Sequence, residues 1–494
     1  MALSRRKFIL GTIGSSAILP FGGHAAQQNS NKPQKVFTNA TIITNDAERR
    51  TLINQAMVVE EDLIVAIGKT EDIIAMYPSA ETYDCYRKAL LPGLINCHSH
   101  LTATIAKGFN EDFGFPNSYG LKQSPESMLS TDEATVMATL AAVEGLRAGT
   151  TTMVQNTTGI KRDAAELIKT GQRWVFAESV RDITTENGPM SPGRLRNSRT
   201  PVFSEKLREE GMQRIVELYD SWHGYDGGRI SVFPAAALTE LSSPRLLRDI
   251  RDFADQNGLG YTIHMTQSQA EVQFMIRHHG VRPAIYLAQH DFLGPRLFAA
   301  HARYCDEAEI RALGSSQSII THQAAMAANR GVNPPITRLR EAGCRIALGT
   351  DNNNTDMLHV MKTAIALERI QRNDEIPGIL PQPEDILADA CTGGAHAVNQ
   401  ASKIGSLEIG KKADILVLDA FAPHLTPSGR ILSAWIHNGQ PSDIESILVD
   451  GNFVMRDRKL TMLDEENLLE EAYAIGNKLW ERLLQNGPLN LPRL

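Results

Sequence analysis

The sequence predicts an α/β protein: a (β/α)8 TIM barrel over residues 92–402, with a small β-sandwich domain built from both ends of the chain, residues 35–91 and 403–460. Three observations carry this reading. Between about residues 92 and 400, apolar runs alternate with longer amphipathic stretches, as strands alternating with helices do. Short strand-like segments separated by turns crowd both flanks of that region. Several of the apolar runs end in histidine or aspartate, and in this architecture chemistry collects at the C-terminal ends of the strands.

Taken in order, residues 1–26 read as an export signal outside the fold. Arg5 and Arg6 precede a modest apolar segment, and "GGHAAQQ" supplies small residues suited to cleavage near Ala25 or Ala26. The paired arginines resemble a twin-arginine signal, which predicts the twin-arginine export machinery as a partner and a periplasmic or secreted location. The apolar segment is too short to span a bilayer, so no membrane association is expected once it is removed. Its loss takes Arg5, Arg6 and Lys7 and no acid, moving the formal charge from −7 to −10. A mildly acidic chain without a basic stripe is not expected to bind nucleic acid. The five cysteines are odd in number, widely spaced and form no CxxC, so a disulfide framework is not expected.

The first flank, "KVFTNATIIT", "AMVVEEDLIVAIG" and "KALLPGLIN", and the last, "KKADILVLD" and "IESILVDGNFVM", have the same texture of short strands. Between them lie the runs "GTTTMVQN", "RWVFAES", "RISVFPAAA", "GYTIHMTQ", "RLFAAHARY", "QSIITHQ" and "CRIALGTD". The stretch "EATVMATLAAVEGLRAG" has helical periodicity and stops at Gly149, and "PPITRLREAG" stops at Gly343. The tail, residues 461–494, is expected to form a closing helix with Leu468, Ala472, Ile475, Leu479 and Leu483 on one face.

The strand "LINCHSH" ends in His98 and His100, and positions two apart on a strand share a face, so both imidazoles aim at one point. Further runs deliver His264, His301, His322 and Asp351 to strand tips. Neutral imidazole with carboxylate suits a divalent ion such as Zn or Fe(II). The segment "KGFNEDFGFPNSYGLKQ" after the first strand either covers a pocket with Phe109, Phe113, Phe115 and Tyr119 or simply packs. Gln155 and Asn156 sit at another strand tip as polar contacts.

On "LLPGLINCHSH", "AGTTTMV", "AAHA", "AGCRIALGTDNNNTDML" and "IGSLEIGKKADILVLD", the chain resembles the amidohydrolase superfamily, particularly its deaminase and chlorohydrolase branch. The resemblance covers about residues 35–455 and implies His98, His100, His264 and Asp351 as metal ligands. It implies His301 as the nearby catalytic histidine; Asp351, touching the metal, is expected to take a proton from the bound water, and Gln267 and His322 are expected as substrate contacts. Three imidazoles and one carboxylate leave a position open for water. Binuclear members carry a carboxylated lysine on the fourth strand; "RISVFPAAALTE" has none, so one ion is expected.

Two positions depart from the branch. The branch reads His-x-x-Glu after the fifth strand, whereas here "HMTQ" places Gln267, an amide that cannot titrate. Glu271 is read as part of a capping box with Ser268 rather than as a substitute acid. Ala235 in "FPAAALTE" stands where deaminases of nucleoside-like substrates often carry a histidine. The expected activity is metal-assisted hydrolysis of a C–N bond in a small heterocyclic or amide-like molecule. A urea, carbamate or linear amide, or an activated chlorinated ring, is the alternative substrate class. A non-catalytic binding protein on the same fold is the alternative of another kind, and homo-oligomerisation stays open.

Overall fold

The structure is a computed structural model that describes residues 33–113, 124–184, 201–352, 354–376 and 378–485. The expected signal segment therefore lies outside the described residues, as do Phe115 and Tyr119 and the side chain of Phe113.

Eight parallel strands follow one another around a barrel: β6 (Leu94–Ser99), β7 (Thr150–Thr157), β8 (Arg173–Val180), β9 (Ile230–Leu238), β10 (Tyr261–Met265), β11 (Leu297–His301), β12 (Ile319–His322) and β13 (Arg345–Leu348). The sheet closes where Ser99 bridges Asp351 in parallel. Every residue of β6 and β8 is buried, because helices cover the outside and side chains fill the inside. The helix Thr131–Arg147 begins with a capping box between Ser130 and Glu133 and stops at Gly149, whose φ of 91° permits the left-handed turn.

A separate nine-stranded mixed sheet joins the two ends of the chain. Its first half holds β1 (Gln34–Ile43), β2 (Thr51–Glu60), β3 (Leu63–Lys69), β4 (Glu81–Asp84) and β5 (Lys88–Pro92). The second half holds β14 (Ile415–Asp419), β15 (Ile444–Val449), β16 (Asn452–Arg456) and β17 (Lys459–Leu460). The junction is the antiparallel pairing of β5 with β14, over Pro92–Lys88 and Ile415–Asp419. An ion-pair cluster ties this sheet to the barrel. Arg173, 2% exposed, meets Asp414 at 3.1 Å and Asp450 at 2.6 Å.

The helix Glu465–Leu484 lays Ala472 and Leu479 against Ile105, Ala106 and Met137. The Trp480 indole N–H donates to the Ile105 carbonyl at 3.0 Å, which pins the segment that follows β6. No helix among the described residues is long and apolar enough to cross a membrane.

Candidate metal centre

Five strand-tip side chains converge at the C-terminal end of the barrel. His98, His100 and His264 form one group of ligand atoms within 4.8 Å of one another, and His98, His301 and Asp351 form a second. Ring centroids lie 4.8 Å apart for His98–His100, 4.7 Å for His98–His264 and 5.5 Å for His98–His301.

The backbone places these groups. Gly349 lets β13 lie directly against β6: an added Cβ would come within 2.9 Å of the His98 Cβ and backbone nitrogen. The Thr350 and Asp351 N–H groups then donate to the His98 carbonyl at 3.0 and 2.9 Å. Asp351 (φ 65°) and His301 (φ 82°) both hold left-handed backbone, which non-glycine residues adopt at a cost and which clusters at functional sites.

His100 Nδ1 lies 2.5 Å from the Asn156 carbonyl, and His264 Nδ1 lies 2.5 Å from the Ala237 carbonyl. A carbonyl only accepts, so both Nδ1 atoms carry the proton. Burial, and then the neighbouring imidazoles, hold His264 well below the ordinary histidine range, so its Nε2 carries a lone pair. That atom stands 3.1 Å from His100 Nε2. The two Nε2 atoms therefore face each other across a gap that a shared cation would fill.

His98 is fully buried and neither ring nitrogen has a hydrogen-bond partner; His301 Nε2 and Asp351 Oδ2 are likewise unpartnered. Buried polar atoms in proteins are as a rule hydrogen-bonded, and these orphaned ring and carboxylate atoms converge on one point, so this set fits a bound cation. Burial lowers His98 and His301 well below the ordinary range, with His100 and Arg303 adding to it, which keeps the rings in the neutral form that binds metal. Asp351 Oδ1 lies 3.5 Å from His100 Nε2, and Oδ2 lies 3.7 Å from His301 Nδ1.

The other sequence-predicted residues stand around this group. His322, at the tip of β12, is buried with its Nδ1 unpartnered and does not join the close set of ligand atoms. Gln267 is half-buried beyond the tip of β10, and its N–H donates to Glu271 at 2.7 Å. The capping box expected at Ser268 is only half present. Ser268 accepts from the Glu271 N–H, but the Glu271 carboxylate reaches further back, to the N–H groups of Thr266 and Gln267. Thr266 has φ 48°, which turns both N–H groups onto one carboxylate. Burial, and then Glu240, push Glu271 well above its usual range, and burial pushes Glu240 up to about 7.

Gln155 Oε1 accepts the Leu101 N–H at 3.2 Å and so fixes the turn after His100, while its buried Nε2 has no partner among the described residues. Asn156 anchors His100 through its backbone rather than its amide. Two residues near the site went unmarked in the sequence. Arg303 lies two positions after His301, and Arg330 caps the helix Ala324–Asn329. The signal for Arg303 was present as the basic residue of "HARY"; Arg330 gave none.

The family model for the amidohydrolase family matches residues 89–454. A 5-methylthioadenosine/S-adenosylhomocysteine deaminase of Desulforudis audaxviator is 28% identical over 430 residues, covering 86% of this chain and 94% of that protein. A 5'-deoxyadenosine deaminase of Methanosarcina barkeri is 28% identical over 457 residues, covering 91% of this chain and 99% of that one. Among solved structures, a zinc-bound adenosine deaminase of Xanthomonas campestris superposes with a TM-score of 0.79 at 23% identity, over 91% of this chain and 99% of its own. The match spans the barrel strands and the β5–β14 junction, and the strand-tip ligands lie within it. The chain belongs to the amidohydrolase family and is a metal-dependent hydrolase of carbon–nitrogen bonds.

Proposed function

We propose that this chain is an aminohydrolase that uses one divalent ion, zinc or Fe(II), to replace an amino group by water on a small heterocycle of the adenosine-like kind. The observation that carries the reading is the facing pair of His100 and His264 Nε2 atoms at 3.1 Å, backed by the orphaned nitrogens of buried His98. His98, His100, His264 and Asp351 would hold the ion. Bound there, it would supply Lewis-acid polarisation and a nucleophile from water at neutral pH.

The chain's own groups do the rest. Asp351 sits between His100 and His301 and is positioned to take a proton from the attacking water and return it to the leaving nitrogen. His301, kept neutral by burial, orients the nucleophile or polarises the reacting carbon. The relatives named as deaminases of adenosine derivatives support the substrate class. A single ion is supported by β9, which carries no lysine.

Gln267, which cannot shuttle a proton, favours a second reading: hydrolysis of a urea, carbamate or linear amide. Export through the paired Arg5 and Arg6 belongs to the same proposal. The test is a screen of zinc-loaded protein against aminoheterocycles, 5'-deoxyadenosine, ureas and amides, with detection of ammonia and amine. Ammonia release from an aminopurine supports the first reading; turnover confined to ureas or amides replaces it with the second.

A further inference from the structure

Two neighbouring guanidinium groups, one of them beside His301, hold no ion pair among the described residues. The backbone at His301 and Ala302 is left-handed (φ 82° and 52°), and Arg303 follows directly. Arg303 Nη2 lies 3.5 Å from His301 Nδ1 and also touches the Met326 sulfur. Met326 and Arg330 are one helical turn apart, with the Arg330 N–H on the Met326 carbonyl at 3.1 Å, so they share a face. Arg330 donates from Nη1 to the Glu111 carbonyl at 3.2 Å, while its Nη2 is buried and has no partner. Both guanidinium groups therefore lie along the one helix that leaves the tip of β12.

Among the described residues, neither arginine forms an ion pair within 4.0 Å. Other arginines removed from solvent in this chain hold carboxylates: Arg173 with Asp414, Arg208 with Asp249, Arg340 with Asp389. Asp351 is the acid that attracts both Arg303 and Arg330. Asp351 would be committed to the ion, however; Glu111 also attracts Arg330 and Glu271 attracts Arg303, but neither forms an ion pair with its arginine, and Glu111 meets Arg330 only through its backbone carbonyl. A buried charge without a counter-charge is costly, so a site with this excess is completed by an anion from outside.

We propose that Arg303 and Arg330 form an anion subsite of this active centre and that the substrate carries a carboxylate close to its scissile carbon–nitrogen bond. The proposal rests on the hydrolase reading of the same site and narrows its substrate to a compound that bears a carboxylate beside the amino or amide group, in place of a neutral adenosine-like ring. Planar guanidinium forks match a planar carboxylate in geometry as well as charge. The unpartnered Nη2 of Arg330 is the free donor such a group would take.

The test is calorimetric titration of the zinc-loaded full chain with benzoate and with benzamide, its neutral counterpart of the same shape. Benzoate is expected to bind at least about tenfold tighter, the ratio that one hydrogen bond to a charged group supplies. In Arg303→Gln and in Arg330→Gln the preference should fall several-fold with zinc per chain unchanged. Arg330→Lys, which keeps the charge, should retain part of it. Equal binding of the two probes by the wild type overturns the anion subsite, as does a preference that survives in both glutamine variants, since the ion alone then holds the carboxylate. A chain that takes up neither zinc nor iron overturns the hydrolase reading and the subsite with it.

Discussion

The buried His322 permits a quantitative prediction about pH. It is 2% exposed, and burial, followed by the charges of Arg303 and Arg340, lowers it to about 3. In the unfolded chain a histidine titrates near 6.5. Between those values the unfolded state binds a proton that the folded state refuses, so stability falls as pH falls below about 6.5. At 1.36 kcal/mol per pH unit, a single group of this kind costs about 2 kcal/mol between pH 8 and pH 5. His322→Asn removes the titrating group and leaves a polar side chain. Unfolding free energies of the chelated full chain, measured by urea denaturation at pH 8 and pH 5, should therefore differ by about 2 kcal/mol less in the variant than in the wild type. Comparing the two differences cancels the general effect of the substitution and the opposing contributions of Glu240 and Asp389, whose raised carboxyls favour the folded state as pH falls. The same pH dependence in both proteins would show that His322 is not held neutral, and the electrostatic picture of this side of the barrel would fail.

Three further perturbations follow from the same structure. Gln267→Glu would add a carboxylate at the residue whose backbone N–H already holds Glu271, itself driven upward by burial and Glu240; kcat/KM on the native substrate should fall by about tenfold or more with metal content unchanged, and a rate increase would mark the amide as a defect. Asp414→Ala removes the bidentate partner of the buried Arg173 guanidinium and leaves it Asp450 alone, and should lower stability by about 1.5–3 kcal/mol in chemical denaturation. Replacing Arg5 and Arg6 by Lys should hold the protein in the cytoplasm on fractionation; undiminished periplasmic delivery would refute the twin-arginine proposal.

The barrel was legible because each strand is a short apolar run and each helix has its own stop signal, as Gly149 and Gly343 show. The His98–His100 pair was legible because alternation along a strand fixes which residues share a face. Asp351 and His264 needed the family resemblance, since a lone histidine or aspartate at a strand tip has many uses. What stayed hidden depends on backbone atoms and on distance in sequence. The carbonyls of Asn156 and Ala237 set the tautomers of His100 and His264, and any residue type supplies a carbonyl. Glu271 had the spacing of a capping box, but the left-handed turn at Thr266 redirected its carboxylate. Arg330 meets the segment after β6 only because the helix after β12 lies against it, a contact between residues 219 positions apart.

The most direct test of the metal centre is elemental analysis of the purified chain and its His98→Ala variant, each assayed for hydrolysis before and after chelation. The wild type should carry close to one zinc or iron per chain and lose activity with the ion, and the variant should lose both. Full activity in the chelated protein, or undiminished metal in His98→Ala, would contradict the assignment of the converging histidines as a catalytic metal site.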